Sequence, residues 1–276
     1  MVSNLTPLAM IPSLFISLIL PIIAIFLLAR KNKGEKMISA WLLGAAGFFV
    51  TQILIRLPIL TVLQTQPWFL DFSENHGFVF ALGLAFTAGL FELAGRFVVA
   101  KLMRKNLTYQ RSLAAGLGHG GIEAMLLIGM TYINNIIYIL MINAGTFDAM
   151  VNEAAKTGMD VSALWQLKDQ FINTSPALFL LGGFERMLAM VCHLAMSMMV
   201  CYGVHTGKPL KSALIALVIH TFIDLTAGIS MLIGKGLSQG VAYGIIYTIL
   251  TATAVISILI IRNIRRHWQE TEVFHV

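Results

Sequence analysis

Seven apolar runs, each of about 20 residues and each closed by a short polar turn, constrain this chain more than any other feature. A helix rising about 1.5 Å per residue crosses about 30 Å of hydrocarbon in that length. Spans are expected over residues 8–29, 37–63, 78–100, 112–143, 176–203, 212–233 and 241–261. Backbone polar groups in lipid must be satisfied within the segment, so the runs read as helices. The predicted class is an all-α, polytopic membrane helix bundle forming one integral domain over 1–276. At 58% hydrophobic, 12% charged and a mean hydropathy of +0.82, the composition excludes an ordinary soluble domain of this length.

The net charge of +6 could suggest nucleic acid, but the basic residues sit between the apolar runs. Arg30, Lys31, Lys33 and Lys36 follow the first, Lys101, Arg104, Lys105 and Arg111 the third, and Lys208 and Lys211 the fifth. Arg262, Arg265 and Arg266 close the seventh. All four groups fall on one side if the N-terminus is outside and the C-terminus cytoplasmic, which is the positive-inside pattern. Lipid is therefore the expected partner, not nucleic acid, and a bacterial cytoplasmic membrane the expected location. The first run lacks a basic leader and is too long for a signal peptide core, so it reads as a span. The polar loop QTQPWFLDFSENHG after the second run carries acids and no bases. Residues 144–175, with Asp148, Glu153, Asp160 and Asp169, read as an external loop with short amphipathic helices. Cys192 and Cys201 share one run and read as small buried hydrophobes.

Ionisable residues inside the runs carry the functional signal. Glu92 and Arg96 stand one helical turn apart, as do His119 and Glu123, and His220 and Asp224. The fifth run holds Glu185, Arg186 and His193, the last two seven apart on one face. Each buried charge costs at least about 2.5–3.5 kcal/mol on insertion scales, so something must offset it. Counted from the basic ends, Glu92 and His220 lie roughly 13 Å deep, His119 roughly 12 Å and His193 roughly 15 Å. Helix packing alone gives no reason for such agreement. A shared polar site does. Gly116, Gly118, Gly120 and Gly121 around His119, with Gly89 and Gly95 around Glu92, allow close helix approach.

A glutamate, several histidines and an arginine at one depth suit peptide-bond hydrolysis. Glu92 can serve as general base toward water, with Arg96 holding it or a substrate carbonyl. The histidines can donate to an oxyanion, orient water or bind a metal. No HExxH motif is present, GLSQG at 236–240 reads as a turn between the sixth and seventh runs, and Asp224 is the one aspartate within a span, which excludes an aspartyl dyad. The same set could instead serve a non-catalytic binding or immunity protein, or a proton-coupled transporter, although no repeat relates the halves.

FELAGR, GLGHGGIEA, ERMLAMVCH and HTFID, in order on successive helices, resemble the YhfC family of intramembrane peptidases. That family is similar to PrsW and to the CPBP group with the type II CAAX proteases. The resemblance covers about 78–233. It implies a peptidase acting on membrane-embedded or membrane-anchored peptide or protein substrates. It implies Glu92 as base, Arg96 as orienting residue, and His193 and His220 as the residues that polarise water and the oxyanion, with Asp224 matching the Asn/Asp one turn after the last histidine. His119 and Glu123 match a motif particular to the family, with Glu185 and Arg186 supporting. The wider group has a second glutamate where this chain has Leu93, and Glu123 is the candidate to replace it. The resemblance leaves the cofactor open between none, the preferred reading, and a zinc ion on His119, His193, His220 and Glu123.

Overall fold

The computed structural model describes residues 1–228 and 236–273. Among them, seven helices are long and apolar enough to cross a membrane: Leu5–Lys31, Met37–Leu63, Gly77–Asn106, Tyr109–Asn143, Leu178–His205, Pro209–Thr226 and Gln239–Gln269. The helical class and the seven spans match the sequence reading, and the chain is a multi-pass membrane protein. Most spans run past their apolar cores because their amphipathic ends continue the helix. The expected end of the sixth span, 229–233, lies outside the described residues. The fifth span starts at Leu178, with Pro176 in the preceding turn. The stretch after the second span, expected as a loop, is instead a helix, Pro67–Asn75. Pro67 supplies the first-turn φ without a lost hydrogen bond, and Phe69 is buried, edge-on to Phe80.

The chain divides into two compact units. The first comprises residues 1–20 and 124–187. Here Asn143 clamps the backbone of Val2, accepting from its N–H at 2.8 Å and donating to its carbonyl at 3.0 Å. Ser13 and Tyr132 both donate to the carbonyl of Phe179, at 2.9 and 3.0 Å. The expected short helices of the long polar segment are Phe147–Lys156 and Ser162–Asn173; Phe147, Val151 and Phe171 bury their apolar faces against Ile139.

The second unit comprises residues 21–123 and 188–276. The third span packs along the second and the sixth. The fifth is the most enclosed of the seven, with 72% of its apolar window buried against 22–28% for the others. Its core is built from small or flexible side chains, among them Cys192, Met196, Met198 and Val200 against Ala100, Met103 and Ala114. Both cysteines are buried and unbridged, as expected.

Hydrocarbon gives helices no hydrophobic reason to associate, so close backbone approach matters more than in water. Two glycines show how close. A Cβ on Gly118 would run into the carbonyl of Trp41, and one on Gly44 into the carbonyl of Ala115. The second and fourth spans therefore touch backbone to backbone beside His119. A methyl group there has to push a helix away, which costs roughly 1–3 kcal/mol or more. Gly83 on the third span faces open space. Gly118→Ala and Gly44→Ala should each lower the thermal midpoint of the detergent-purified protein, while Gly83→Ala leaves it unchanged or slightly raised. Equal effects at all three positions would contradict this packing.

Candidate active site

All the residues of the main cluster belong to the second unit. Glu92 comes from the middle of the largely apolar third span and is 4% exposed. Arg96, one turn later and equally buried, donates from Nη2 to Glu92 Oε2 at 2.9 Å. The i,i+4 spacing makes this pair inherent to the helix. Three rings from three other spans then meet it. His119 Nε2 lies 2.9 Å from Glu92 Oε2, His220 Nε2 2.8 Å and His193 Nδ1 3.4 Å. A single carboxylate oxygen is thus the hub of the cluster.

The rings also support one another. His119 stacks on His193 with centroids 5.6 Å apart, His193 meets His220 edge-on at 5.4 Å, and Phe48 closes against His119 at 5.4 Å. Missing side chains let them approach: a Cβ on Gly120 would sit 3.0 Å from His193 Cβ, and one on Gly89 3.4 Å from His220 Cβ.

Two further carboxylates stand behind the rings. Glu123 Oε2 is 2.7 Å from His193 Nε2, and Asp224 Oδ2 is 3.3 Å from His220 Nδ1. Arg96 Nη2 is also 2.6 Å from His193 Nδ1. A guanidinium only donates, so Nδ1 of His193 accepts and its Nε2–H points to Glu123. This network assigns the tautomer, with the Nδ1 lone pair turned inward. Asp224, its side chain 34% exposed, is the most open member of the cluster.

Glu92, Arg96, His119, Glu123, His193, His220 and Asp224 are therefore brought together, as equal depth in successive spans suggested. Glu185 and Arg186 are in the first unit and pair with each other. The seven residues between Arg186 and His193 keep a shared face but separate them by about two turns. Leu93 packs into the apolar core.

Sequence reasoning missed the second span's contribution. Buried Gln52 donates from Nε2 to Glu92 Oε1 at 3.0 Å and to the carbonyl of Ala88 at 3.0 Å. Arg56 donates to Gln52 Oε1 at 3.3 Å and to the carbonyl of Leu84 at 2.8 Å. The signal was present: Arg56 is the one charged residue within that span, and Gln52 precedes it by one turn. On the basic-loop side, a cavity of about 10 Å³ is lined by Arg96, His119, Ser197 and Cys201, among others. That is near the minimum space that can hold one water molecule.

Glu92, His119 and His193 can bring one donor atom each within 4.8 Å of one another, a group able to hold a metal ion. A tetrahedral zinc site with bonds of about 2.0–2.1 Å has donors about 3.3 Å apart. The contacts to Glu92 Oε2 bracket that value. A carboxylate oxygen accepts only and His193 Nδ1 turns a lone pair inward; with His119 in the tautomer that does the same, a cation between the three atoms would satisfy them. Charge agrees: with neutral imidazoles, three carboxylates outnumber Arg96 and Arg56, and the excess is negative. The residues present fit a divalent metal.

Comparison with known proteins adds the family. A family model described as YhfC intramembrane metalloprotease matches residues 16–247. A Bacillus subtilis (strain 168) protein described as "Uncharacterized membrane protein YhfC" is 32% identical over 183 residues, covering 65% of this chain and 69% of that relative. No solved structure matches the chain. With a buried Glu/His cluster in a seven-span bundle and a family model covering most of its length, the chain belongs to the YhfC intramembrane metalloprotease family.

Proposed function

We propose that this protein hydrolyses peptide bonds of membrane-embedded or membrane-anchored substrates at the Glu92 cluster. The observation that carries the reading is the convergence of three imidazoles and a guanidinium on one buried carboxylate oxygen. A structural ion pair needs one partner; this carboxylate has several, drawn from four spans.

Hydrolysis requires a water oxygen to bond to the substrate's carbonyl carbon while a base takes its proton. Glu92 is placed for that task, because Oε2 faces the rings and Arg96 while Oε1 is held by Gln52. The water-sized space beside Arg96 and His119 offers a source. As the tetrahedral intermediate forms, Arg96 and the ring of His220 supply positive charge and N–H donors for its oxyanion. The C–N bond then breaks, and the nitrogen leaves with the proton that the base had taken. Asp224 orients His220 and Glu123 orients His193. The relative openness of Asp224 makes its side of the cluster the expected route for substrate.

The family's metal fits the same residues. Glu92, His119 and His193 would hold a zinc ion, which would supply Lewis-acid polarisation of the carbonyl and a more acidic water. With Glu92 so engaged, proton transfer falls to Glu123, the carboxylate one ring away. The N-out, C-cytoplasmic orientation belongs to this proposal too, since it places the basic turns inside.

Two expectations test the reading. Purified protein should contain about one zinc per chain by elemental analysis, and chelation should abolish cleavage of candidate membrane substrates until zinc is restored. Glu92→Gln and His119→Ala should both lose zinc and lower cleavage by roughly 10²–10⁴-fold. Zinc-free protein with full activity would return the mechanism to Glu92 acting alone. Glu123→Gln should keep the metal and still lower the rate, by roughly 10–100-fold. Cleavage that survives Glu92→Gln would remove the cluster from the reaction altogether.

A further inference from the structure

We propose that Gln52 is a positioning residue for Glu92, held in place by Arg56, so that the second span sets which carboxylate oxygen faces the reacting groups. The proposal rests on the reading of Glu92 as the central carboxylate of the site.

The Gln52 amide has one satisfied orientation. Its Nε2 faces two acceptors, the carbonyl of Ala88 and Oε1 of Glu92, each at 3.0 Å. Its Oε1 faces a donor, Nη1 of Arg56, at 3.3 Å. Turning the amide over would set oxygen against two oxygens and NH2 against a guanidinium, losing all three bonds. The donor that reaches Glu92 Oε1 is therefore fixed by contacts on both sides of it.

Arg56 is fixed in turn. Its Nη2 donates to the carbonyl of Leu84 at 2.8 Å and lies 3.4 Å from the hydroxyl of Thr87, both on the third span. An arginine inside a span is costly unless its head group is bonded. Here those bonds join the second span to the helix that carries Glu92.

The backbone of this region is unusual as well. Residues Phe49–Arg56 form a π-helical segment within the second span. Such wide turns interrupt the ordinary register and recur at functional positions. This one carries both Gln52 and Arg56.

The consequence is specific to one oxygen. With Gln52 on Oε1, rotation of the Glu92 carboxylate is restrained, and Oε2 alone remains for Arg96, His119 and His220. A role limited to holding helices together would not depend on the carboxylate.

The test uses full-length protein labelled with ¹³C-carboxyl glutamate, in detergent or nanodiscs. Difference infrared spectra assign the Glu92 carboxylate as the band lost in Glu92→Gln. Gln52→Met, close in size and without hydrogen-bonding groups, should shift that band, and Arg56→Met should shift it less in the same sense. With Zn²⁺ alone as probe, the dissociation constant should rise roughly 10–100-fold in Gln52→Met. An unmoved Glu92 band in Gln52→Met would overturn the proposal. If Gln52→Met does not fold, an unmoved band in Arg56→Met would do the same. Wild-type protein that binds no zinc leaves the band as the deciding measurement. Proteolysis indifferent to Glu92→Gln would sink the peptidase reading while leaving the band shift to stand or fall by itself.

Discussion

A carboxylate buried among apolar helices is the constraint on which the rest of the second unit depends. Removing an ion of this size from water costs several kcal/mol even after relaxation, and its mutual attraction with Arg96 repays that only if the remaining lone pairs are also satisfied. Arg96 arrives with the helix itself, one turn from Glu92. The other partners do not: His119, His193 and His220 come from the fourth, fifth and sixth spans, and Gln52 from the second. Satisfying one oxygen pair therefore requires five spans to close at the same depth.

That requirement explains the packing around it. Rings of three histidines with centroids 5.4–5.6 Å apart need backbones that come closer than leucine or phenylalanine would allow. Gly120 and Gly89 remove the Cβ atoms that would obstruct His193 and His220, and Gly118 and Gly44 let two backbones touch beside His119. The fifth span, the most buried of the seven, packs alanine, cysteine and methionine into the core of the second unit. Adaptable and small side chains suit a centre whose geometry is dictated by polar contacts.

Much of this was legible in the sequence because hydropathy and helical rise are both linear measures. Span lengths gave the class, and counting residues from the basic turns gave the convergence of Glu92, His119, His193 and His220. Where the reading failed, a second coordinate was missing. Arg186 and His193 share a face, yet seven residues separate them by about 10 Å along the axis, and Arg186 pairs with Glu185 instead. Gln52 is uncharged and draws no attention in a hydropathy count, while Arg56, visible as a lone charge, needed its bond to Gln52 to acquire meaning. The π-helical turn of Phe49–Arg56 departs from the 3.6-residue period on which any face assignment relies.

The enclosure of the cluster bears directly on the proposed hydrolysis. In a low-dielectric interior an oriented N–H donor or guanidinium acts on developing charge far more strongly than in water, and it need not reorganise as the charge forms. A fully dry interior would also lack the reactant. The cavity beside Arg96, His119 and Ser197 is about 10 Å³, near the minimum that can hold a single water. Most of the cluster is at most 7% exposed, and Asp224 opens outward at its edge. Room for a water beside a largely enclosed cluster lets the proposed hydrolysis keep its electrostatic strength inside the membrane.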